Sequence, residues 1–123
     1  MRHAYSSPPI HGALIARELL ADAELFRLWE QDIGVMAARI KEVRSLVVAG
    51  LEQRGTSGTW GHITTQIGMF SYTGLTKDQC QKMVSEHNVF MLLNGRISLA
   101  GLNPGNVGKF CDAVHEVVTN AKM

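Results

Sequence analysis

F-M-L-L-N-G-R-I-S-L-A-G, residues 90–101, is the stretch around which the rest of this 123-residue chain can be placed. Two short apolar runs flank Asn94-Gly95, the dipeptide that best tolerates the positive φ angles of a two-residue hairpin turn. The pattern therefore predicts a strand, a tight turn and a second strand.

Arg96 opens the second of these predicted strands. Because side chains alternate along a strand, Ile97 and Leu99 are expected on one face, and Arg96 and Ser98 on the other. A guanidinium held on rigid strand backbone presents its planar fork in a fixed direction, which suits two-point binding of a carboxylate or phosphate. The same spacing is typical of a surface arginine at a sheet edge, so the pattern alone leaves both interpretations open.

The longest regular pattern lies upstream of the hairpin. Asp22 can cap a helix, and apolar residues then recur at three- and four-residue steps as far as Gly55. This predicts one helix of about 30 residues, roughly 45 Å long, after a shorter helix over residues 10–20. The rest of so small a chain cannot cover that length, so part of the stripe is expected to contact another domain or chain. The stripe comprises Leu25, Leu28, Trp29, Ile33, Met36, Ile40, Val43, Val47 and Leu51.

Strands and helices alternate downstream of the long helix. Residues 67–73 alternate as a strand, and Thr76 with Gln79 fits a capping box for a helix that runs to about His87. Asn103-Pro104 predicts the start of a last helix. This order predicts an α/β or α+β fold, in which a long helix accompanies a small sheet covered by helices.

Length and composition limit the function classes. A chain of 123 residues, 46% of them hydrophobic, suits one globular domain over residues 1–123. A net charge of +1 without a basic run predicts no nucleic-acid partner, and no run approaches the roughly 18 apolar residues of a membrane span. Cys80 and Cys111 have no second pair, which predicts free thiols in a reducing compartment and favours the cytoplasm.

No catalytic or metal constellation stands out from the residues alone. Cys111 and His115 share a helix face at a metal-compatible spacing, but without further ligands helix packing is the better interpretation. The glycines before Lys109 lack the spacing of a phosphate-binding loop, and no histidine has the neighbours of a catalytic triad. The lysines at positions 41, 77, 82, 109 and 122 lie in polar or helix-surface contexts, without the desolvation that activates a Schiff-base lysine.

Three motifs occur in a fixed order: R-H-A-Y-S-S-P-P-I-H-G-A at residues 2–13, Q-I-G-M-F-S-Y-T-G-L at residues 66–75 and N-G-R-I-S-L-A-G-L at residues 94–102. Together they closely resemble the C-terminal portion of the aspartate aminotransferase family of class I, pyridoxal-phosphate-dependent aminotransferases. The resemblance implies the small domain of the type I aminotransferase fold, with the large cofactor-binding domain absent. It also implies a full-length dimer that transfers an amino group between aspartate and 2-oxoglutarate.

The resemblance implies roles for four residues. Arg96 matches the arginine that binds the substrate α-carboxylate, and Arg2 matches the arginine that reaches into the neighbouring subunit's site to bind the distal carboxylate. Ser6 and Phe70 match pocket-wall positions. Two guanidinium groups would select dicarboxylic amino acids and 2-oxo acids. Ser7 departs from the family, which has asparagine in this turn.

The family's reaction machinery, including the Schiff-base lysine, would lie before Arg2. The resemblance thus implies pyridoxal phosphate in the full-length enzyme, none bound to this chain alone, and no transamination by the isolated chain. The alternative is a non-catalytic interaction module that kept the fold and self-associates through exposed apolar surface. A related aminotransferase of aromatic substrates also stays open, as does a mitochondrial rather than cytoplasmic parent.

Overall fold

The structure is a computed structural model that describes residues 9–121. The described chain divides into two units, one ending at Ala37 and the other beginning at Ala38. Its elements in order are α1 (His11–Ala21), α2 (Ala23–Gln53), α3 (His62–Thr65), β1 (Phe70–Tyr72), α4 (Lys77–His87), β2 (Arg96–Ser98), a 3₁₀ turn (Leu99–Gly101) and α5 (Val107–Asn120). The predicted α+β fold, a long helix with a small sheet, is confirmed.

The first unit, residues 9–37, is called the helical arm here. Asp22 separates its two helices and caps the second as predicted, because its Oδ1 accepts the backbone N–H groups of Glu24 at 2.9 Å and Leu25 at 3.1 Å. No residue of α1 is buried, and the buried residues of α2 begin only at Val43. Most of the large apolar side chains of the arm are 40–69% exposed: Ile10, Leu14, Ile15, Leu20, Leu25, Leu28, Trp29, Ile33, Val35 and Met36.

The second unit, residues 38–121, is called the core domain here and closes around its own apolar cluster. Helices α4 and α5 pack against each other, and Gly50 of α2 lies so near α5 that an added Cβ would be 2.7 Å from Cys111 Sγ. Such close approach allows dense packing without voids. The largest fully buried apolar side chains are Leu51, Ile63, Met83, Leu99, Val43, Val47, Val114 and Val117.

The sheet consists of β1 and β2, which run antiparallel and pair Phe70 with Ser98 and Tyr72 with Arg96. The prediction that residues 90–93 form the partner strand is wrong. Only one backbone bond, from Leu92 N–H to Arg96 O at 3.1 Å, links that run to β2. The Arg96 N–H donates instead to Asn94 Oδ1 at 3.1 Å, and a side chain that competes for backbone donors in this way ends a ladder.

A tight turn forms within the quoted stretch, but it is not the predicted two-residue Asn94-Gly95 turn, because Asn94 does not adopt a positive φ and the hydrogen bond that closes the turn lies one residue earlier. Gly95 has φ +87°, a value that glycine adopts without steric cost, and its N–H donates to Leu92 O at 3.1 Å. The strand predicted over residues 67–73 is shorter than expected, because Gly68 has φ +88° and breaks the extended backbone before Phe70.

The helix predictions hold, with one shift at a boundary. The long helix spans 31 residues, and Thr76 forms the predicted capping box with Gln79. Asn103 Oδ1 accepts the N–H groups of Gly105 and Asn106 in the turn before the last helix, but the helix itself begins at Val107 with Asn106 as its N-cap, three residues later than predicted. Among the described residues no helix combines the length and apolarity that a membrane crossing needs.

Candidate functional site

The sheet has one buried and one exposed face. Ser71 and Ile97 point inward and are 2% and 8% exposed, whereas Phe70 and Tyr72 are more than half exposed. Arg96 is also exposed, and Ser98 is half-buried. The predicted alternation along β2 is therefore confirmed. The outer face is defined by Phe70, Tyr72, Arg96 and Ser98.

The pairing register places Arg96 close to two aromatic residues. Thr73 N–H donates to Gly95 O at 2.9 Å, which marks a hydrogen-bonded pair. The next pair, Tyr72 and Arg96, is then a non-hydrogen-bonded one, whose Cα atoms approach to about 4.5 Å. Phe70 lies on the diagonal from Arg96, a separation of roughly 7–8 Å that long side chains bridge. The structure thus brings together Arg96 and Phe70, two of the four residues predicted from sequence.

The guanidinium of Arg96 is available to a ligand. Its backbone is held on both sides, by Asn94 Oδ1 on the N–H and by Leu92 N–H on the carbonyl. Throughout residues 9–121 no carboxylate lies within 4.0 Å of its side chain. An exposed arginine on fixed backbone without an internal counter-ion is suited to a planar anion from outside.

The other two predicted site residues, Arg2 and Ser6, lie outside the described residues. Their roles, in binding the distal carboxylate and in lining the pocket, stay predictions.

Arg44 is the residue that sequence reasoning missed. It is 2% exposed, and its guanidinium donates to Ile63 O at 2.7 Å, Gly68 O at 2.7 Å and Phe70 O at 3.0 Å. Burial lowers the pKa of this guanidinium, yet an arginine stays protonated in proteins. Arg44 therefore fixes the segment that leads into β1. The sequence feature that could have indicated this role is a charged residue inside the apolar stripe, four residues after Ile40.

Gln66 and His62 hold the same edge of β1 at Tyr72, two residues beyond the carbonyl that Arg44 binds. The Gln66 amide accepts Tyr72 N–H at 3.0 Å and donates to Tyr72 O at 3.3 Å. His62 Nε2 also lies 3.0 Å from Tyr72 O, and Ser71 Oγ donates to Gln66 Oε1 at 2.8 Å. A strand of three residues is thereby held firmly enough to present the outer face in one orientation.

Cys111 and His115, four residues apart on α5, each have a hydrogen-bond partner within the core domain. Cys111 Sγ donates to Val47 O at 3.6 Å, and His115 Nδ1 shares a hydrogen bond with Thr56 Oγ1 at 2.9 Å. Burial raises the pKa of the Cys111 thiol, with Arg54 nearby acting in the opposite direction. Within residues 9–121 no three potential metal ligands come together.

Comparison with known proteins gives one consistent family. The sequence model of aminotransferase class I and II matches residues 1–114. The chain is 46% identical over 122 residues to the cytoplasmic aspartate aminotransferase of Dictyostelium discoideum, covering 99% of this chain and 28% of that protein. It is 45% identical to the mitochondrial aspartate aminotransferase of Arabidopsis thaliana, covering 98% of this chain and 28% of that protein.

Solved structures agree with the sequence comparison. The aspartate aminotransferase from Saccharomyces cerevisiae cytoplasm superposes with a TM-score of 0.92 at 41% identity, over 97% of this chain and 29% of that one. The chain therefore spans between a quarter and a third of the length of these relatives.

Proposed function

This chain belongs to the class I and II aminotransferase family, and on that premise we propose that residues 1–123 are the C-terminal small domain of an aspartate aminotransferase. In the full-length enzyme the domain would recognise the carboxylates of aspartate and 2-oxoglutarate while an amino group passes between them. The observation that carries the proposal is Arg96, exposed on a firmly held sheet face without an internal counter-ion in the described chain.

Arg96 is assigned to the α-carboxylate of the substrate. Its fork can donate two parallel N–H···O bonds, and each hydrogen bond to a charged group contributes about 1.5–3 kcal/mol. Phe70 would wall the pocket beside it, since an apolar ring excludes water and strengthens the neighbouring ionic contact. Arg2 is assigned to the distal carboxylate in the neighbouring subunit's site, and Ser6 to the pocket wall, which together would select dicarboxylic substrates.

Pyridoxal phosphate is the cofactor that the family implies, but the described residues do not form a site that could bind it. Lys41, Lys77, Lys82 and Lys109 are all exposed, so none of them lies in the desolvated pocket that a Schiff-base lysine needs. We therefore assign the cofactor, which stores the electron pair released at the substrate α-carbon, to the remainder of the full-length enzyme. The isolated chain is expected to bind none and to show no transamination.

The proposed partners are the substrates and a second subunit, with neither a nucleic acid nor a membrane. Relatives of this chain include both a cytoplasmic and a mitochondrial aspartate aminotransferase. Two unpaired thiols, Cys80 and Cys111, both buried and free, favour the reducing cytoplasm.

A non-catalytic interaction module is the second candidate, and the helical arm favours it. Within the arm, α1 and the start of α2 line an open cavity of about 520 Å³. Apolar patches of this kind mark surfaces that another chain or domain covers. The cavity is lined mainly by Leu14, Ile15, Leu19, Leu25, Leu28 and Trp29. As a module that kept the fold and lost catalysis, the isolated chain would self-associate as a homodimer or larger species.

The test is a chimera in which this chain replaces the matching segment of the Dictyostelium enzyme. We expect aspartate transamination by the chimera, and a loss of at least roughly 100-fold in kcat/KM in the Arg96→Ala variant, because a paired charge-assisted contact is removed. Arg96→Lys should recover only part of it, since lysine cannot bind a carboxylate with two parallel bonds.

Arg39→Ala is the matched control, because Arg39 is an exposed arginine of α2 that has been given no role in the site. It should leave kcat/KM within about twofold of the parent chimera, as surface substitutions usually do. A folded chimera without activity, or one in which Arg96→Ala and Arg39→Ala behave alike, would contradict the proposal.

A further inference from the structure

Tyr72 is the residue that lies directly opposite Arg96 on the outer face. Its side chain is 52% exposed, although the strand that carries it is held on both edges. The resemblance to the family gives Tyr72 no role. The proposed function thus leaves unexplained an exposed ring on the strand position paired with Arg96, whose guanidinium has no carboxylate partner within residues 9–121.

The backbone of Tyr72 is fixed by a side-chain amide. Gln66 binds both its N–H and its carbonyl, and His62 Nε2 lies 3.0 Å from the same carbonyl. On the opposite edge of β1, Tyr72 pairs with Arg96 of β2. The direction in which the Tyr72 side chain leaves the strand is thus set by contacts on both sides.

The ring of Tyr72 lies over the turn that precedes Arg96. A Cβ built on Gly95 would lie 3.2 Å from Tyr72 Cε2 and 3.2 Å from Leu75 O. Gly95 is buried although it is a turn residue, and the Tyr72 ring is one of the groups that lie against it. The absence of a side chain at Gly95 therefore leaves room for the ring over the turn that leads into Arg96.

We propose that Tyr72 is a positioning residue for Arg96: its ring walls in the arginine stem on the turn side, while Phe70 lies on the opposite diagonal. Arginine side chains have many rotamers, and a contact that removes most of them before binding lowers the entropy cost of holding a ligand. The ring performs this role, and the hydroxyl is not required. This inference rests on the proposed function, in which Arg96 binds the substrate α-carboxylate.

The experiment compares Tyr72→Ala and Tyr72→Phe in the chimeric full-length enzyme. Tyr72→Ala is expected to raise KM for aspartate by roughly 10-fold while kcat changes little, since misplacing a positioning group by 1 Å can cost up to about 100-fold. Tyr72→Phe keeps the ring and should restore the parent KM. Phe90→Ala, which removes a ring that is 79% exposed and lies outside both paired strands, is the matched control and should leave KM unchanged.

Thermal unfolding of each variant checks that the domain is folded. If Tyr72→Ala does not fold, Tyr72→Leu keeps apolar volume without the planar ring and is expected to raise KM in the same way. The inference is overturned if the folded variant without the ring keeps KM within about twofold of the parent, the spread of neutral surface changes. It is also overturned if Tyr72→Phe raises KM as much as Tyr72→Ala, because the hydroxyl and not the ring would then position Arg96.

Arg96→Ala separates this inference from the proposed function. If Arg96→Ala raises KM and Tyr72→Ala does not, only the positioning role of Tyr72 fails. If Arg96→Ala itself leaves KM unchanged, the assignment of Arg96 to the carboxylate fails, and the inference about Tyr72 fails with it.

Discussion

The helical arm leaves apolar side chains exposed, whereas the core domain buries them, although α2 runs through both. In the arm, Leu28 and Trp29 are 45% and 40% exposed, whereas Val47 and Leu51 in the core domain are each 1% exposed. The spacing of apolar residues along the helix is the same on both sides of Ala37. An amphipathic pattern therefore tells which face of a helix needs cover, and the rest of the chain decides whether that cover is supplied.

Arginine gives the largest expected contrast between the two regions. Arg44→Ala should lower the free energy of unfolding by roughly 3–5 kcal/mol, because the carbonyls of Ile63, Gly68 and Phe70 lose a buried donor. Arg27→Ala, at an exposed position in the arm, should stay within about 0.5 kcal/mol of the parent. Urea unfolding of the 123-residue chain measures both, and equal effects would contradict the assignment of separate roles.

Glycine gives the next contrast, and the two regions should respond with opposite signs. Gly50→Ala puts a Cβ at 2.7 Å from Cys111 Sγ, and overpacking of this kind costs about 1–3 kcal/mol. Gly34→Ala meets nothing within 4 Å and should stabilise α2 by up to about 1 kcal/mol through helix propensity. Thermal unfolding midpoints would show the two shifts, and a lower midpoint for Gly34→Ala would mean that the arm is covered in solution.

Alkaline pH should lower the free energy of unfolding of the core domain, which contains both cysteines, and not that of the arm. Burial raises the pKa of the Cys80 and Cys111 thiols, so the folded chain keeps them protonated where the unfolded chain ionises. The free energy of unfolding is then unaffected by the thiols below their unfolded pKa of about 8.5. Above that pH it declines, by at most roughly 1.4 kcal/mol per pH unit per thiol. Urea unfolding between pH 7 and 10 tests this, and Cys111→Ala should flatten the decline.

The smallest expected effect on stability comes from a polar substitution in the arm. Leu28→Glu should leave the free energy of unfolding within about 0.5 kcal/mol, because no core contact is lost. It should nevertheless weaken self-association of the isolated chain, which sedimentation velocity would detect as a shift towards monomer. Leu51→Glu is the comparison, and it should unfold the core domain, since an unpaired charge would be buried. Unchanged sedimentation for Leu28→Glu would exclude this part of the arm as the contact surface.

Local signals in the sequence predicted most of the fold. The cap at Asp22, the capping box at Thr76 and the length of α2 depend on residues a few positions apart, and all three formed as predicted. The partner of β2 was predicted wrongly because pairing depends on which backbone donors remain free after the turn has folded. At Arg96 the side chain of Asn94 took that donor.

The candidate site could be predicted only in part, for a different reason. Alternation along β2 placed Arg96 on the outer face, and the register with β1 then added Phe70. The contributions of Arg44 and Gln66 could not be predicted from spacing, since their partners lie 24 positions away at Gly68 and 6 positions away at Tyr72, across a turn that local propensity does not specify. Long-range hydrogen bonds of buried polar side chains are decided by the completed fold.

The side chains that hold β1 have a consequence for the chain in crowded solution. The outermost strand of a sheet normally offers unpaired N–H and C=O groups on which strands of other molecules can stack. Here Arg44 occupies Phe70 O, and Gln66 occupies both Tyr72 N–H and Tyr72 O. These side chains therefore hinder fibril-like growth by strand addition at this edge, and they protect the two-stranded sheet there without a third strand.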